Sequence, residues 1–404
     1  MLQRHAASQS VARGVDGATS LLFSIASGLA VAHAYLAHPM LDLVSADVGL
    51  PASRAGWIVG ATQVGYGLGL LMLAPLGDLL DRRRLVVVQS AALGLAACAV
   101  ALARTPAALL AAMTVMGLLA VVTQAFVAFA AVLADEEHRG RVVGQVTSGV
   151  VIGLLLARTA AGGLADLVGW RGVYLAAGGA MLVCAGVLAA RLPRRDLPKS
   201  GLSYGRLLAS MGELLLREPT LRVRSILAAF IFADVTIVLT PLVLPLRAAP
   251  YALSHAAIGL FGLVAAAGAL GASAAGRWTD AGHGQRATFA ALLLMLAAWG
   301  PIALLPYALA PLALGLLMLD FGLQTVHVAN QGLIYRARPD AQSRLTAAYM
   351  VFYSIGSAAG SSASTWVYAA HGWTGVSLLG ASVSGAALMF WALTRPRRRS
   401  ERSD

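Results

Sequence analysis

The stretch GLLMLDFGLQTVHVANQGLIY (Gly315–Tyr335) decides how this chain is to be read. Its flanks are as apolar as a bilayer-spanning segment, yet its middle carries Asp320, Gln324, His327, Asn330 and Gln331. Asp320, Gln324, His327 and Gln331 are spaced four, three and four apart, so at ~3.6 residues per turn they form one stripe on a helix. Asn330 lies beside that stripe, and the opposite face is Leu, Phe and Val. A charge at the bilayer centre costs ~2.5 kcal/mol or more, so such a stripe faces protein or water rather than lipid.

The rest of the chain fits that reading. Of 404 residues, 58% are hydrophobic and 12% charged, with a mean hydropathy of +0.75. A soluble domain carries roughly 25% charged residues, so an integral membrane protein is expected. Cys98 and Cys184 fall inside separate apolar runs and make no disulfide framework. The N-terminus MLQRHAASQSVARGVDG is polar for longer than a signal peptide allows, so the first apolar run is expected to remain as a span.

Twelve apolar segments reach the ~20 residues a span needs. They lie near 18–41, 56–76, 84–103, 107–134, 142–164 and 172–192, then 225–246, 256–276, 287–305, 308–334, 345–369 and 373–394. The fold class that follows is an all-α membrane protein. With the N-terminus cytoplasmic, 25 Lys/Arg residues fall inside, four outside (Arg54, Arg104, Arg171, Arg247), and Arg158 falls within a span. That asymmetry orients the chain with both termini in the cytoplasm. It accounts for the net charge of +12 without nucleic acid.

The chain also repeats itself. Shifted by 203 residues, GWRGVYL (169–175) falls on GWTGVSL (372–378), Gly153 on Gly356 and Gln124 on His327. Shifted by 202, APLGD (74–78) falls on GRWTD (276–280) and Arg84 on Arg286. An even number of spans per copy makes the two repeats parallel, related by an axis along the membrane normal. The expected division is an N-tail (1–17), a six-helix bundle (18–192), a cytoplasmic linker (193–224), a second six-helix bundle (225–394) and a basic tail (395–404). Within the linker, YGRLLASMGELLL has amphipathic spacing and suits either a surface helix or a plain connector.

Six plus six spans, a central charged loop and paired short loops resemble the major facilitator superfamily. The family's loop between spans two and three reads G-x-L-x-D-R-x-G-R-R. Here APLGDLLDRR (74–83) keeps Leu76, Asp78, Arg82 and Arg83, with Ala74, Leu79 and Asp81 departing. The second copy, GRWTDAGHGQR (276–286), keeps Gly276, Asp280, Gly284 and Arg286 with one extra residue. The resemblance makes Asp78, Arg82, Arg83, Gly276, Asp280 and Arg286 a candidate conformational latch; the simpler alternative is a topology signal. Gly140, Gly149 and Gly153 match the fifth-span glycine spacing of the family's antiporters, although Leu154 stands for the motif's Pro and Ala157–Arg158 for its Gly pair. Small residues at that spacing admit close helix packing. The branch most similar is that of twelve-helix drug:proton antiporters and sugar-efflux-like members.

Span ten lines the central path in that superfamily, which places Gln324, Asn330 and Gln331 as cavity candidates. Gln124 joins them through the repeat, or else serves a helix–helix hydrogen bond. His33, Tyr35 and Arg158 complete the cavity candidates, with Arg158 open to a structural ion pair with Asp234 or Asp320. Asp320, Asp234 and His327 are candidates for proton coupling. Neither a metal-ligand spacing nor a nucleophile–base set stands out, and the P-loop pattern is missing. The expected protein is therefore no enzyme and needs no cofactor beyond a proton gradient. It is expected to act as a monomer in the cell inner membrane, its partners being lipid bilayer and a small-molecule substrate, with no nucleic acid. The expected function is proton-coupled efflux of a small polar or cationic organic molecule by alternating access. The alternatives are a proton symporter importing a small metabolite and a non-transporting membrane receptor.

Overall fold

In lipid every backbone N–H and C=O must be paired within the segment that carries it, so an apolar chain with these breaks folds into helices. The computed structural model describes residues 17–135, 137–192, 203–264, 277–278, 281–338 and 342–395. The first half comprises α1 (Gly17–Ala32), α2 (Leu41–Asp47), α3 (Gly56–Met72), α4 (Arg82–Leu102), α5 (Pro106–Ala120), α6 (Val122–Leu133) and α7 (Arg139–Arg191). A linker helix α8 (Tyr204–Arg217) follows. The second half comprises α9 (Pro219–Leu239), α10 (Val243–Arg247), α11 (His255–Val264), α12 (Gly284–Ala303), α13 (Leu309–Ala337) and α14 (Gln342–Thr394).

Among the described residues, eight helical segments are long and apolar enough to cross a bilayer. Two of them, α7 and α14, are double-length and bend at Gly169 (φ +68°) and Gly372 (φ +61°), so each supplies two spans. These bends are the repeated GW-x-G motif. Only glycine takes that backbone region without strain, and the tryptophan after it pins the turn. Trp170 Nε1 donates to Asp47 at 3.2 Å, and Trp373 Nε1 donates to the Ile302 carbonyl at 2.9 Å. With the shorter apolar helices α1 and α11 the result is twelve spans in two six-helix bundles.

Several spans break where a single helix was expected. The first helix stops at Ala32 and continues as turns to the three-residue 3₁₀ turn His38–Met40, which holds Pro39. The fourth span divides at Val121 into α5 and α6. The seventh divides at Thr240, ahead of Pro245 within α10. The linker segment is a helix, and its apolar face is buried against protein through Leu207, Met211 and Leu214. Tyr204 Oη, at its start, donates to the Met72 carbonyl at 2.9 Å.

The repeat is visible as shared packing. A Cβ at Gly149 would strike the Ser24 carbonyl and one at Gly153 would strike Gly28, so α1 and α7 touch backbone to backbone. In the second half, Gly356 meets Ala229 and Gly360 meets Ala233 in the same way, between α9 and α14. Gly140, by contrast, faces open space; it precedes the crossing and packs nothing.

Candidate functional site

The two halves meet along a seam that differs at its ends. At the end bearing the α3–α4 loop and its arginines, here the basic face, a cavity of about 530 Å³ opens between them. Gln124 of α6, Tyr335 of α13 and Met350 of α14 line it, and Leu207 and Met211 of the linker helix close one side.

At the opposite, far face the halves are locked. His255, at the start of α11 and 3% exposed, stands between two carboxylates of the first half. Its Nδ1 is 2.8 Å from Asp166 Oδ1 and its Nε2 is 3.2 Å from Asp42. The Asp166 carboxylate also accepts the Ala256 N–H at 2.9 Å, which anchors it on the first turn of α11. Arg247 Nε adds a contact to Asp42 at 3.5 Å. Close backbone approach completes the seal. Gly162 touches the His255 carbonyl, and the Gly56 N–H donates to Thr365 Oγ1 at 3.0 Å. The sequence reading missed this lock, because His255, Asp42 and Asp166 are remote in sequence and each sits in an ordinary-looking loop or helix end.

Between cavity and lock lies an aromatic layer. Tyr35 Oη and Tyr353 Oη are 2.7 Å apart across the seam. Tyr353 packs edge-on to Phe232 (4.2 Å between ring centroids) and Tyr66 (6.2 Å). Tyr66 Oη accepts from Gln124 Nε2 at 3.4 Å. The Arg158 guanidinium lies over the Tyr35 ring, 5.1 Å from its centroid. Asp320 is half-buried and within electrostatic range of Arg158 and Tyr35. Among the described residues neither Arg158 nor Asp320 makes an ion pair.

The α13 stripe thus divides along its length. Asp320 makes no ion pair among the described residues, and Gln324 and Gln331 are half-buried farther along. His327 Nδ1 is 3.0 Å from Tyr349 Oη, and Asn330 Nδ2 donates to the same oxygen at 3.4 Å. Asn330 is fully buried and its Oδ1 accepts from Arg224 at 3.3 Å. Arg224, 4% exposed, is a buried cation at the last position of the expected linker, where the start of an apolar run conceals it.

Two candidates lie away from the seam. Asp234 is 1% exposed and sits inside the second bundle, where Trp299 Nε1 donates to it at 3.0 Å and Ser384 Oγ donates to its other oxygen. Among the described residues it pairs with no arginine. His33 lines an apolar groove between α1 and the two limbs of α7, among the exposed Leu21, Ile25 and Ile152, and its Nδ1 is 2.7 Å from the Leu29 carbonyl. Both His33 and Tyr35 lie in the turns that follow α1.

Two of the loop candidates, Arg82 and Arg83, donate to carbonyls of the first half. Arg82 donates to the Gly77 and Ala128 carbonyls at 3.0 and 3.2 Å. Arg83 donates to the Leu192 carbonyl at 2.8 Å and to that of Ala189, so it caps the C-terminal end of α7. Arg286 is exposed. Gly276, Asp280 and the Asp78 side chain lie outside the described residues. Among the described residues no cluster of three or more His, Cys, Asp or Glu could hold a metal.

Comparison with known proteins bears on this geometry. A family model described as Major Facilitator Superfamily matches residues 23–319 and 224–404. The chain belongs to the Major Facilitator Superfamily. It is 43% identical over 373 residues to the uncharacterized transporter YgaY of Escherichia coli O157:H7, covering 92% of this chain and 94% of that one. It is 31% identical over 394 residues to a probable transporter, SCO4007, of Streptomyces coelicolor, covering 96% and 90%. Its fold resembles that of a bacterial homolog of the human lysosomal transporter Spinster, solved in an inward-facing and occupied conformation. The TM-score is 0.75 at 13% identity, covering 93% of this chain and 94% of that one. This superfamily member is a multi-pass membrane transporter.

Proposed function

We propose that the protein is a proton-coupled exporter of a small polar organic molecule, working by alternating access in the inner membrane with both termini cytoplasmic. The supporting observation is the Asp320 carboxylate, carried on α13 at the seam and held by no ion pair among the described residues. A carboxylate there can accept a proton from one face and lose it to the other as the halves rock. Asp234 is the weaker candidate. Two donors occupy its oxygens inside one bundle, where the rocking does not change its exposure.

In this reading the basic face is cytoplasmic, the cavity at Gln124 and Tyr335 is the loading vestibule, and the His255 lock is the closed outer gate. Exchange follows if proton and substrate compete for Asp320. The test is uptake of a panel of small polar organics into inverted membrane vesicles, with and without an imposed proton gradient. Gradient-dependent accumulation is expected, and Asp320→Asn should abolish accumulation while leaving downhill equilibration. Uptake by Asp320→Asn that remains gradient-driven would remove Asp320 from this role.

A further inference from the structure

An imidazole ring carries two nitrogens. Neutral, it offers one N–H donor and one lone pair; charged, it offers two donors. At His255 both nitrogens face carboxylates of the other half. Nδ1 is 2.8 Å from Asp166 Oδ1, and Nε2 is 3.2 Å from each Asp42 oxygen. An ionised carboxylate only accepts. Two such acceptors on one ring call for two N–H groups, and a neutral ring has one.

The missing hydrogen has no better place on the carboxylates. Asp166 already takes backbone donors on both oxygens, the His255 N–H at 3.3 Å on Oδ1 and the Ala256 N–H at 2.9 Å on Oδ2. These are unpaired N–H groups at the start of α11, where a negative charge is favoured. Asp42 has the Arg247 guanidinium 3.5 Å from Oδ2, and its side chain is 23% exposed. The His255 side chain is 4% exposed, so water is a poor substitute partner for an unmatched nitrogen. With a neutral ring, one lone pair would point at a carboxylate oxygen. The two carboxylates would then have Arg247 as their one cationic contact among the described residues. An imidazolium fills both contacts and cancels the remaining negative charge.

The other titratable groups around α11 are placed elsewhere. Arg158, deeper on α7, seats its stem against Gly262, and His38 of the 3₁₀ turn lines the same small void. Asp47 of α2 pairs with Arg171. Tyr251, in the turn ahead of α11, donates to the Leu305 carbonyl at 2.6 Å. On α13 the first titratable side chain from the far-face end is Asp320, ~16 Å along the helix.

We infer that the closed far face holds a bound proton, with His255 an imidazolium clasped between Asp42 and Asp166. Closing takes this proton up from the far-face solvent, and opening returns it there. The ring cannot keep both contacts once the halves part, because His255 belongs to the second half and both carboxylates to the first. Exposed to water, histidine is the side chain whose charge turns over near neutral pH. The closed face binds more protons than the open one, so acid favours closure and alkali favours opening, by up to about tenfold per pH unit for one proton. The proton enters and leaves on one side, so it sets how readily the face opens and drives no transport. The inference rests on the exporter reading only in calling the far face external. On that reading, an acid exterior holds the vestibule open to the cytoplasm, ready to load.

The test uses the purified full-length protein in lipid nanodiscs, at one pH throughout and with no gradient. Cys98→Ala and Cys184→Ala remove the native thiols. Spin labels are placed at Arg104→Cys and Tyr307→Cys, both exposed in far-face loops of opposite halves. From about pH 8 to about pH 6 the closed-to-open ratio should rise about tenfold or more. His255→Gln, which donates from one nitrogen only, should lose that dependence and stay more open in acid. His255→Lys, charged at both pH values, should stay closed at both.

An open population that does not move with pH overturns the inference. So does an equal movement in His255→Gln, which would place the titrating group elsewhere. Where the face is closed throughout, nitrogen-15 spectra of the imidazole rings decide. One ring doubly protonated at about pH 8 and missing from His255→Gln is expected; neutral rings alone at that pH overturn the inference. Failure of gradient-driven uptake in vesicles would sink the exporter reading and leave this latch standing. A far face blind to pH would sink the latch and leave the role of Asp320 untouched.

Discussion

Tyr35 and Tyr353 share a hydrogen bond of 2.7 Å that joins the two halves through their own side chains, at mid-seam and beneath Arg158. One partner sits in the turns after α1 and the other in the first limb of α14. The bond can persist only while the far face is closed, because parting the halves there carries the two rings away from each other. It therefore contributes to the balance between conformations as well as to stability. Tyr353→Phe keeps the ring packing on Phe232 and Tyr66 and deletes only the hydroxyl. A hydrogen bond of this kind is worth ~1 kcal/mol net, which shifts a two-state population about fivefold. The far-face-open population should rise accordingly, read from distance distributions between spin labels placed on either side of that face. An unchanged distribution would mean the hydroxyl pair carries no conformational weight.

The His255 lock makes a larger difference. Replacing His255 with Ala leaves the Asp42 and Asp166 carboxylates without their shared partner across the seam. Arg247 remains for Asp42 and the Ala256 N–H for Asp166, so the fold should survive. The expected result is faster labelling of a cysteine placed at Ser361, which is fully buried on α14 opposite Gly56 and Gly60 on the same seam. His255→Gln, able to donate to one carboxylate, should label at an intermediate rate. Equal rates in wild type and His255→Ala would show that backbone contacts at Gly56 and Gly162 hold the face by themselves.

How much of this was legible in the sequence depends on the range of the interaction. The spans, the two-bundle plan and the GW-x-G bends are written locally, in apolar runs and in glycines at positive φ. The stripe of α13 was legible because a helix face is a matter of spacing. What it touches was not: Asp320 and His327 share a face, yet Asp320 makes no ion pair among the described residues while His327 reaches Tyr349. The lock was invisible because His255, Asp42 and Asp166 belong to three separate segments brought together only by the docking of the halves. Asp234 looked like a path residue because depth in a span is readable, whereas the direction a side chain faces within its bundle is set by tertiary packing.

The glycine crossings allow a paired test of the repeat. Gly153→Leu and Gly356→Leu each force a side chain into facing backbone, at Gly28 and Ala229 respectively. Both should abolish folding or lower the unfolding temperature by many degrees, since backbone cannot yield as a flexible side chain does. Gly140→Ala, which meets nothing within 4 Å, should leave stability within about 0.5 kcal/mol. Thermal unfolding in detergent reads all three. Tolerance of Gly356→Leu beside intolerance of Gly153→Leu would break the equivalence of the two halves.

Asp234 and Asp320 should separate under the same substitution. Asp234 accepts from Trp299 and Ser384 and sits away from Arg158. An Asn there keeps one good acceptor and the packing around it, so Asp234→Asn should retain gradient-driven transport with a modest loss of stability. Asp234→Ala strands the buried Trp299 N–H and Ser384 hydroxyl, at ~1–3 kcal/mol for each group left unsatisfied. The Ser384 hydroxyl still has the Trp299 N–H at 3.2 Å, so the lower end of that range is expected. Asp320→Asn should do the reverse: the protein unfolds at nearly the wild-type temperature, because Asp320 holds no ion pair among the described residues, but accumulation against a gradient is lost. The two variants measured side by side, for unfolding temperature and for vesicle uptake, distinguish a carboxylate that braces a bundle from one that carries a proton. Loss of coupled uptake in Asp234→Asn with Asp320→Asn intact would exchange their roles.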